Sequence, residues 1–254
     1  MSPTPVTYAS PTGPTTYSWE ATDEEVARRY GLPIDRIVRF DLNTSPTPPA
    51  LAQRVLSAGR FVTPISEYPP ADYRELVEAA SARYGVGRDE ILVGAGADEI
   101  LDLCAKALLA PGDAAVIPVP TYAMFRVATE QRAARAVLVP RLGPEADWAL
   151  DPTPIREAAR DARLVWLCSP NNPTGREEPE AVIEQLLDDL ASDARRDDRR
   201  TPAVVLDEAY AEFVGRSRVD LRLSHPNLDV VRTASKAYAL AGLRVGFAIA
   251  APET

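Results

Sequence analysis

The stretch "VVRTASKAYALAGLRVG", residues 230–246, joins a β-branched run to a small-residue turn that contains a lysine. The chain holds 26 arginines but only two lysines, Lys106 and Lys236. A desolvated lysine can lose its proton and attack a carbonyl to form a Schiff base, whereas a guanidinium stays protonated. Because Lys106 lies in the helix-like run "LCAKALLA" with no polar cluster around it, the pattern favours Lys236 as an amine nucleophile.

Outward from this stretch, short apolar strand-like runs alternate with helix-like runs, which indicates a mostly parallel sheet with helices on both faces. The last run, "RVGFAIA", follows "DVVRTAS" too closely for a parallel crossover, so we expect one antiparallel strand. Before the sheet, "TDEEVARRYG" has the capping-box pattern of a helix, and "IVRFDLN" alternates like a strand. The strand-like runs are "ILVGAG", "AAVIPVP", "AVLVPRL", "RLVWLCS", "AVVLDEA" and "DVVRTAS".

Distinctive residues follow several of these strands, at the edge where α/β sheets bind ligands. "GAGADE", residues 94–99, is compatible both with a phosphate cup formed by the amides of Ala97 and Asp98 and with an ordinary capped turn. Tyr122 is placed either to cover a planar ligand or to pack in the core. "PNNPTG", residues 170–175, is a rigid turn that carries side-chain amides.

The last two strand ends carry charges. Asp207 ends an apolar strand, where a carboxylate is costly unless it meets a cation, and a structural salt bridge is the alternative explanation. Tyr210 follows three residues later, and Arg244 follows Lys236 by eight. Together the strand ends supply groups for a phosphate, a planar ring, a phenolic oxygen, a basic ring nitrogen and an aldehyde. This set fits pyridoxal 5′-phosphate (PLP), whose ring nitrogen is held protonated by a buried carboxylate.

These motifs resemble those of the class I/II aminotransferases of PLP fold type I, and most of all those of the histidinol-phosphate aminotransferase group. The resemblance covers roughly residues 37–250. The matching segments, in family order, are "EYPPADYRELVEAASARYGV", "GAGADEILDLCAKALLAPGD", "PTYAMF", "SPNNPTG", "VVLDEAYAEF" and "TASKAYALAGLRVGF".

The resemblance implies a role for each site residue. Lys236 forms the Schiff base with the coenzyme and shuttles the Cα proton, while Asp207 pairs with the pyridinium nitrogen. Tyr210 and Asn172 bind the phenolic oxygen, and Tyr122 stacks on the ring. Tyr68 reaches the phosphate of the partner subunit's coenzyme, so a homodimer is implied. The phosphate is held by the amides of Ala97 and Asp98 together with Thr233, Ser235 and Arg244.

The implied reaction is transfer of an amino group between glutamate and a keto substrate, of the histidinol-phosphate:2-oxoglutarate type. A threonine-phosphate decarboxylase-like enzyme and a catalytically incompetent PLP-binding fragment are the alternatives. The family's "NENP"-like segment is "NTSP" here, residues 43–46. By the resemblance we expect an N-terminal arm and first helix over residues 1–36. The large PLP domain then spans 37–254, and a small C-terminal domain with the substrate-carboxylate arginine is missing.

The composition excludes several other classes of protein. The net charge of −9 argues against nucleic-acid and anionic-membrane partners. No apolar run is long enough to span a membrane, and the first 19 residues lack a signal-peptide pattern. The sequence has only one histidine, His225, so it cannot form a zinc site that needs several histidines. We expect His225 in a surface loop, which disfavours a Ser–His–Asp triad. Cys104 and Cys168 are expected to be buried free thiols, in keeping with a cytoplasmic protein.

Overall fold

The computed structural model describes residues 21–59, 64 and 66–252. The helices are α1 Asp23–Tyr30, α2 Ala50–Ala58, α3 Arg74–Tyr84, α4 Ala97–Leu108, α5 Met124–Gln131, α6 Pro152–Ala159, α7 Glu180–Arg196 and α8 Ala211–Val214. The strands are β1 Ile91–Gly94, β2 Ala114–Val119, β3 Arg135–Pro140, β4 Leu164–Cys168, β5 Ala203–Asp207, β6 Leu228–Thr233 and β7 Gly246–Ile249.

The seven strands form one sheet in the order β1-β7-β6-β5-β4-β2-β3. Strands β2 to β6 pair in parallel, and β7 is antiparallel to both of its neighbours, β1 and β6. The expected mostly parallel sheet with one antiparallel strand is therefore confirmed. Because β7 reverses direction between β1 and β6, these two strands point the same way and end at the same edge.

Helices cover both faces of the sheet, and the strand residues alternate between the two cores. In β5, Val204 and Leu206 pack in the cluster that α6 and α7 cover, whereas Ala203 and Val205 pack in the cluster that α4 and α5 cover. Burial on both faces explains why these strands are continuous apolar runs rather than alternating ones.

The second core also satisfies its polar groups. Trp166 of β4 is fully buried and stacks on Phe125 of α5, with ring centroids 5.3 Å apart. Its indole N–H donates a hydrogen bond to the Thr129 hydroxyl at 3.0 Å. This bond removes most of the cost of burying the indole nitrogen and fixes α5 against the sheet that carries the strand ends.

The region before the sheet matches the sequence expectation at one element and differs at another. Helix α1 has the expected capping box, with the Glu25 amide donating to the Thr22 hydroxyl and the Thr22 amide donating to the Glu25 carboxylate. The prediction of a strand at "IVRFDLN" was wrong, because residues 37–43 have no strand pairing. The run is held by side-chain contacts instead, with Arg39 paired to Asp23 and Asp41 and Asn43 bonded to Tyr210.

The surface position expected for His225 was also wrong, because this residue is buried. The short 3-10 turn Val219–Leu223 ahead of it buries Val219 and Leu221 and draws the loop inward. Cys104 and Cys168 are free and buried, as expected. Among the described residues, no helix has the length and apolar character needed to cross a membrane.

Candidate active site

The parallel strands bring their carboxyl ends to one edge, and the sequence-derived candidates follow five of them. Strand β1 leads into "GAGADE", β2 into Tyr122, β4 into "SPNNPTG", β5 ends on Asp207, and β6 leads to Lys236. The order of these strands in the sheet, β1-β7-β6-β5-β4-β2, places the Lys236 and Asp207 strands side by side near the middle. A ligand at this edge would meet all five segments.

Lys236 lies three residues beyond β6 and is partly buried. Its Nζ donates a hydrogen bond to the backbone carbonyl of Leu42 at 2.9 Å. The same nitrogen lies 5.6 Å from the centre of the Tyr210 ring, within the range of a cation–π interaction. The amine therefore points across the strand edge towards the segment that follows β5.

Asp207 is the last residue of β5 and is only 2% exposed. One carboxylate oxygen accepts a hydrogen bond from the Ala209 amide at 2.9 Å. In the described part of the chain, no arginine or lysine forms an ion pair with Asp207. Burial raises the pKa of this carboxyl to about 7; the Ala209 amide opposes the shift, Asp98 adds to it, and the charge of Lys236 lowers it. The carboxylate is thus buried at the expected place without a bonded cation.

Tyr210 and Asn172 line one cavity of about 310 Å³, which also contacts Asn43 and Phe213. The side-chain amide of Asn43 donates to the Tyr210 hydroxyl at 3.4 Å. Burial raises the pKa of the Tyr210 phenol above its usual value. The two residues that the resemblance assigned to a phenolic oxygen therefore face a common space.

The β1–α4 turn has the geometry of an anion cup. Gly96 has φ +85°, and a Cβ built there would lie 2.5 Å from Nη2 of Arg244. The guanidinium is thus packed against the glycine, and it donates to the Ala95 carbonyl at 3.0 Å. Ala97 and Asp98 begin α4, so their amides have no carbonyl within the helix to bond. The guanidinium therefore lies beside the turn from which these helix amides start, and both kinds of donor suit an anion.

Two hydroxyls lie near this cup, at the end of β6. The Thr233 hydroxyl donates to the Ser235 hydroxyl at 3.0 Å, and both residues are buried. Thr233 pairs with Gly246 in the β6–β7 register, and a Cβ on Gly246 would lie 2.4 Å from the Gly96 carbonyl carbon. The close approach of these two glycines brings the β1 turn and the β6 end together.

Tyr122 and Asp98 are linked in a way that the sequence did not indicate. The sequence suggested the Asp98 amide as an anion donor, but its carboxylate also accepts a hydrogen bond from the Tyr122 hydroxyl at 2.9 Å. The Tyr122 ring stands edge-on to Phe125, with the centroids 6.0 Å apart. The hydrogen bond to Asp98 and the edge-on contact with Phe125 together fix the orientation of the Tyr122 ring.

The "SPNNPTG" loop is held by residues that the sequence analysis did not single out. The side chain of Asn171 donates to the Pro120 carbonyl and the Thr174 hydroxyl, and it accepts from the Thr121 hydroxyl. Both asparagines border the cavity, but Asn171 is buried with its amide and carbonyl bonded within the site loops, whereas Asn172 is only half-buried. The quoted pattern offers two adjacent asparagines and no local signal that tells them apart.

A buried ion pair supports the same loop. The Arg141 guanidinium donates to the Glu178 carboxylate at 2.6 Å, and both side chains are at most 1% exposed. The Glu178 amide donates to the Ser169 hydroxyl at 2.9 Å, which closes the loop at its base. In this arginine-rich chain, the sequence alone could not distinguish Arg141 from surface arginines.

Tyr68 is the one candidate that the fold does not bring to the site. Its side chain is 97% exposed. Its assignment to a partner subunit's coenzyme stays a prediction, as does the division of the chain at residue 36.

The model of the family "Aminotransferase class I and II" matches residues 38–254. Histidinol-phosphate aminotransferase of Methanopyrus kandleri is 37% identical over 244 residues, which cover 91% of this chain and 59% of the relative. The Sinorhizobium meliloti histidinol-phosphate aminotransferase, solved in complex with pyridoxal-5′-phosphate, superposes with a TM-score of 0.75 at 25% identity. That match covers 93% of this chain and 62% of the solved one.

A second solved neighbour is L-threonine-O-3-phosphate decarboxylase from Porphyromonas gingivalis. It has a TM-score of 0.67 and 25% identity, and the match covers 83% of this chain and 62% of that chain. The chain thus spans about three-fifths of the length of the relatives it matches. With the family model matched over most of its length and the fold shared with these enzymes, the chain belongs to the class I and II aminotransferase family.

Proposed function

We propose that this chain binds pyridoxal 5′-phosphate through Lys236 and provides the coenzyme site of an aminotransferase. The observation that carries the proposal is a buried Asp207, which forms no ion pair with any described residue, next to a lysine at the neighbouring strand end. The charge of Lys236 lowers the pKa of Asp207, but no cation among the described residues is bonded to the carboxylate, and a protonated pyridine nitrogen would be such a partner.

The other groups of the site also fit the coenzyme. The α4 amides, the Arg244 guanidinium and the Thr233 and Ser235 hydroxyls offer donors for a phosphate dianion. Asn172 and Tyr210 share a cavity in which an amide and a phenol are available to a phenolic oxygen. This set of donors matches the coenzyme from its phosphate to its ring.

When bound, PLP supplies an electron sink that stabilises negative charge at the substrate's Cα. The residues of the chain perform the remaining tasks. With the coenzyme bound, Lys236 would provide a neutral amine that takes the proton from the substrate's Cα and delivers it to the coenzyme's aldehyde carbon, which accepts the amino group. Asp207 keeps the ring nitrogen protonated, and burial strengthens this charge interaction. The Asp98–Tyr122 hydrogen bond holds an aromatic ring at the mouth of the site.

For the substrate, we propose transfer of an amino group between histidinol phosphate and 2-oxoglutarate. The support is the name of the 37%-identical relative and of the Sinorhizobium neighbour. A threonine-phosphate decarboxylase-like reaction is the second candidate, and the Porphyromonas neighbour favours it. Both candidates act on phosphorylated amino compounds and need the same coenzyme site.

We also propose that the chain works as a cytoplasmic homodimer. The support for a dimer is the concentration of exposed apolar side chains in the N-terminal region, where α2 has no buried residue. Tyr68 is exposed in the same region, as a residue that reaches into a partner's site would be. Buried, unpaired cysteines agree with a reducing compartment. The exposed apolar residues of this region include Tyr30, Leu32, Ile34, Val38, Phe40, Leu42, Leu51, Val55 and Leu56.

An absorbance spectrum of the purified chain with added PLP tests coenzyme binding. Half-reactions with histidinol phosphate, glutamate and threonine phosphate then identify the substrate. A visible band that histidinol phosphate and glutamate both convert supports the transaminase, and release of carbon dioxide from threonine phosphate supports the decarboxylase. A band that no substrate changes identifies a coenzyme-binding fragment, and the absence of any band contradicts the proposal.

A further inference from the structure

Residues 42–46, "LNTSP", form a strap that lies against the turn carrying Lys236, 194 positions away along the chain. Three strap residues hydrogen-bond to the site. The Leu42 carbonyl accepts from Nζ of Lys236, the Asn43 amide donates to the Tyr210 hydroxyl, and Ser45 bonds to the backbone at Lys236 and Ala237. The strap therefore contacts the nucleophile both at its amine and at its main chain.

Ser45 makes the connection between the strap and the lysine turn. Its amide donates to the Lys236 carbonyl at 3.1 Å, and its hydroxyl donates to the Ala237 carbonyl at 3.0 Å. Two bonds to consecutive carbonyls fix the register between the strap and the turn. The side-chain bond requires a short hydroxyl at this position, which serine and threonine alone provide among residues of this size.

The register set by Ser45 decides where the Leu42 carbonyl lies. A carbonyl oxygen accepts from the charged ammonium and stabilises it, with a hydrogen bond stronger than one between neutral groups. The bond thus favours the protonated form of Lys236, which has no lone pair with which to attack a carbonyl. The seating of the strap is thus linked to the reactivity of the lysine.

We propose that Ser45 is a positioning residue for Lys236, because its hydroxyl seats the strap whose Leu42 carbonyl holds the lysine amine. The proposal rests on the proposed function only in giving Lys236 its task with the coenzyme. The hydrogen bonds themselves belong to the chain, so they can be tested without coenzyme. A merely structural Ser45 would stabilise the N-terminal segment and leave the amine's reactivity unchanged.

The chain contains its own reference amine. Lys106 is the only other lysine, and it lies on the exposed side of α4 in an ion pair with Asp102 at 2.5 Å. A short pulse of an acetylating reagent, followed by peptide mass spectrometry, gives the labelling ratio of Lys236 to Lys106. Changes in reagent or protein concentration cancel in this ratio.

The acetylation pulse is applied to four forms of the full chain without coenzyme: wild type, Ser45→Ala, Ser45→Thr and Thr47→Ala. Ser45→Ala is expected to raise the Lys236-to-Lys106 ratio roughly three- to tenfold, the change in population that loss of one neutral hydrogen bond produces. Ser45→Thr keeps the hydroxyl and is expected to stay within about twofold of wild type. Thr47→Ala removes an exposed strap-adjacent hydroxyl and should leave the ratio unchanged.

An unchanged ratio in Ser45→Ala overturns the proposal, and so does an equal rise in Ser45→Thr or Thr47→Ala. Amide hydrogen exchange on the wild-type chain gives a check that no folding defect can disturb, since the proposal requires a protected Ser45 amide. Rapid exchange of that amide overturns the proposal whatever the variants show.

The proposed function and the proposed role of Ser45 can be refuted independently. If Ser45→Ala changes the labelling ratio but PLP never gives a visible band, the role of Ser45 stands and the proposed function falls. If PLP binds to the wild type and the ratio does not respond to Ser45→Ala, the proposed function stands and the role of Ser45 falls. In a chain that binds PLP, Ser45→Ala is expected to load the coenzyme faster, because the neutral, nucleophilic form of Lys236 is populated more often.

Discussion

Asp207→Asn should make the coenzyme-free chain more stable at neutral pH while it weakens the coenzyme site. Burial raises the pKa of Asp207 from the ordinary 3.8 to about 7, so the folded chain holds this proton more tightly than the unfolded chain does. The ionised carboxylate therefore destabilises the fold. The cost is absent below pH 3.8, grows between pH 4 and 7, and is complete above pH 7.

The magnitude follows from the size of the shift. At 1.36 kcal/mol for each pKa unit, a rise of about three units corresponds to roughly 4 kcal/mol when the group is fully ionised. Asparagine has the same shape, carries no charge and retains an oxygen that accepts from the Ala209 amide. The advantage of Asp207→Asn over wild type should thus grow by about 2–4 kcal/mol between pH 4 and pH 8.

Urea unfolding of both proteins without coenzyme, at several pH values between 4 and 8, measures this difference. Comparing the two proteins removes shared titrations, such as that of Asp229, whose burial also raises its pKa to about 7. With PLP added, the order should reverse, because the ring nitrogen pairs with the carboxylate only in the wild type. A difference between the two proteins that stays constant within about 0.5 kcal/mol over this range would refute the reasoning.

Three further substitutions test the surroundings of the site. Gly96→Ala forces a side chain into φ +85° and against Arg244. Coenzyme affinity in an absorbance titration should fall by about five- to 150-fold, which corresponds to about 1–3 kcal/mol of strain; unchanged affinity would contradict the cup. Arg141→Met leaves Glu178 buried without its partner and should lower the free energy of unfolding by about 3–5 kcal/mol, with part of the loss recovered by adding Glu178→Gln. Tyr122→Phe removes the hydroxyl that fixes the ring and should weaken coenzyme binding by about 1 kcal/mol; binding equal to wild type would show that the hydrogen bond does not orient the ring.

The sheet and its ligand edge could be predicted because they follow from local patterns. Continuous apolar runs, separated by helical periodicity, require strands that are covered on both faces. The short connection before β7 excluded a parallel crossover, and β7 is antiparallel to β1 and β6. Once the strands are parallel, residues such as Asp207 and Lys236 must meet at one edge, whatever lies between them.

The strap could not be predicted in the same way. The alternation of "IVRFDLN" suggested a strand, yet the end of this run instead contacts Lys236 and Tyr210 through a backbone carbonyl and an amide side chain. These contacts join positions more than 160 residues apart, and no local pattern specifies such a pairing. His225 shows the same limit, since its polar neighbours suggested exposure while the nearby 3-10 turn buries it.

Identifying the lysine that carries the coenzyme is the most direct test of the proposed coenzyme site. The chain is loaded with PLP, reduced with borohydride and digested, and the modified peptide is sequenced by mass spectrometry. If Lys236 carries the coenzyme, borohydride removes the visible band and leaves a stable coenzyme label on the peptide that contains Lys236, with none on Lys106. A label on Lys106, or a band that borohydride still bleaches in Lys236→Ala, would contradict this assignment.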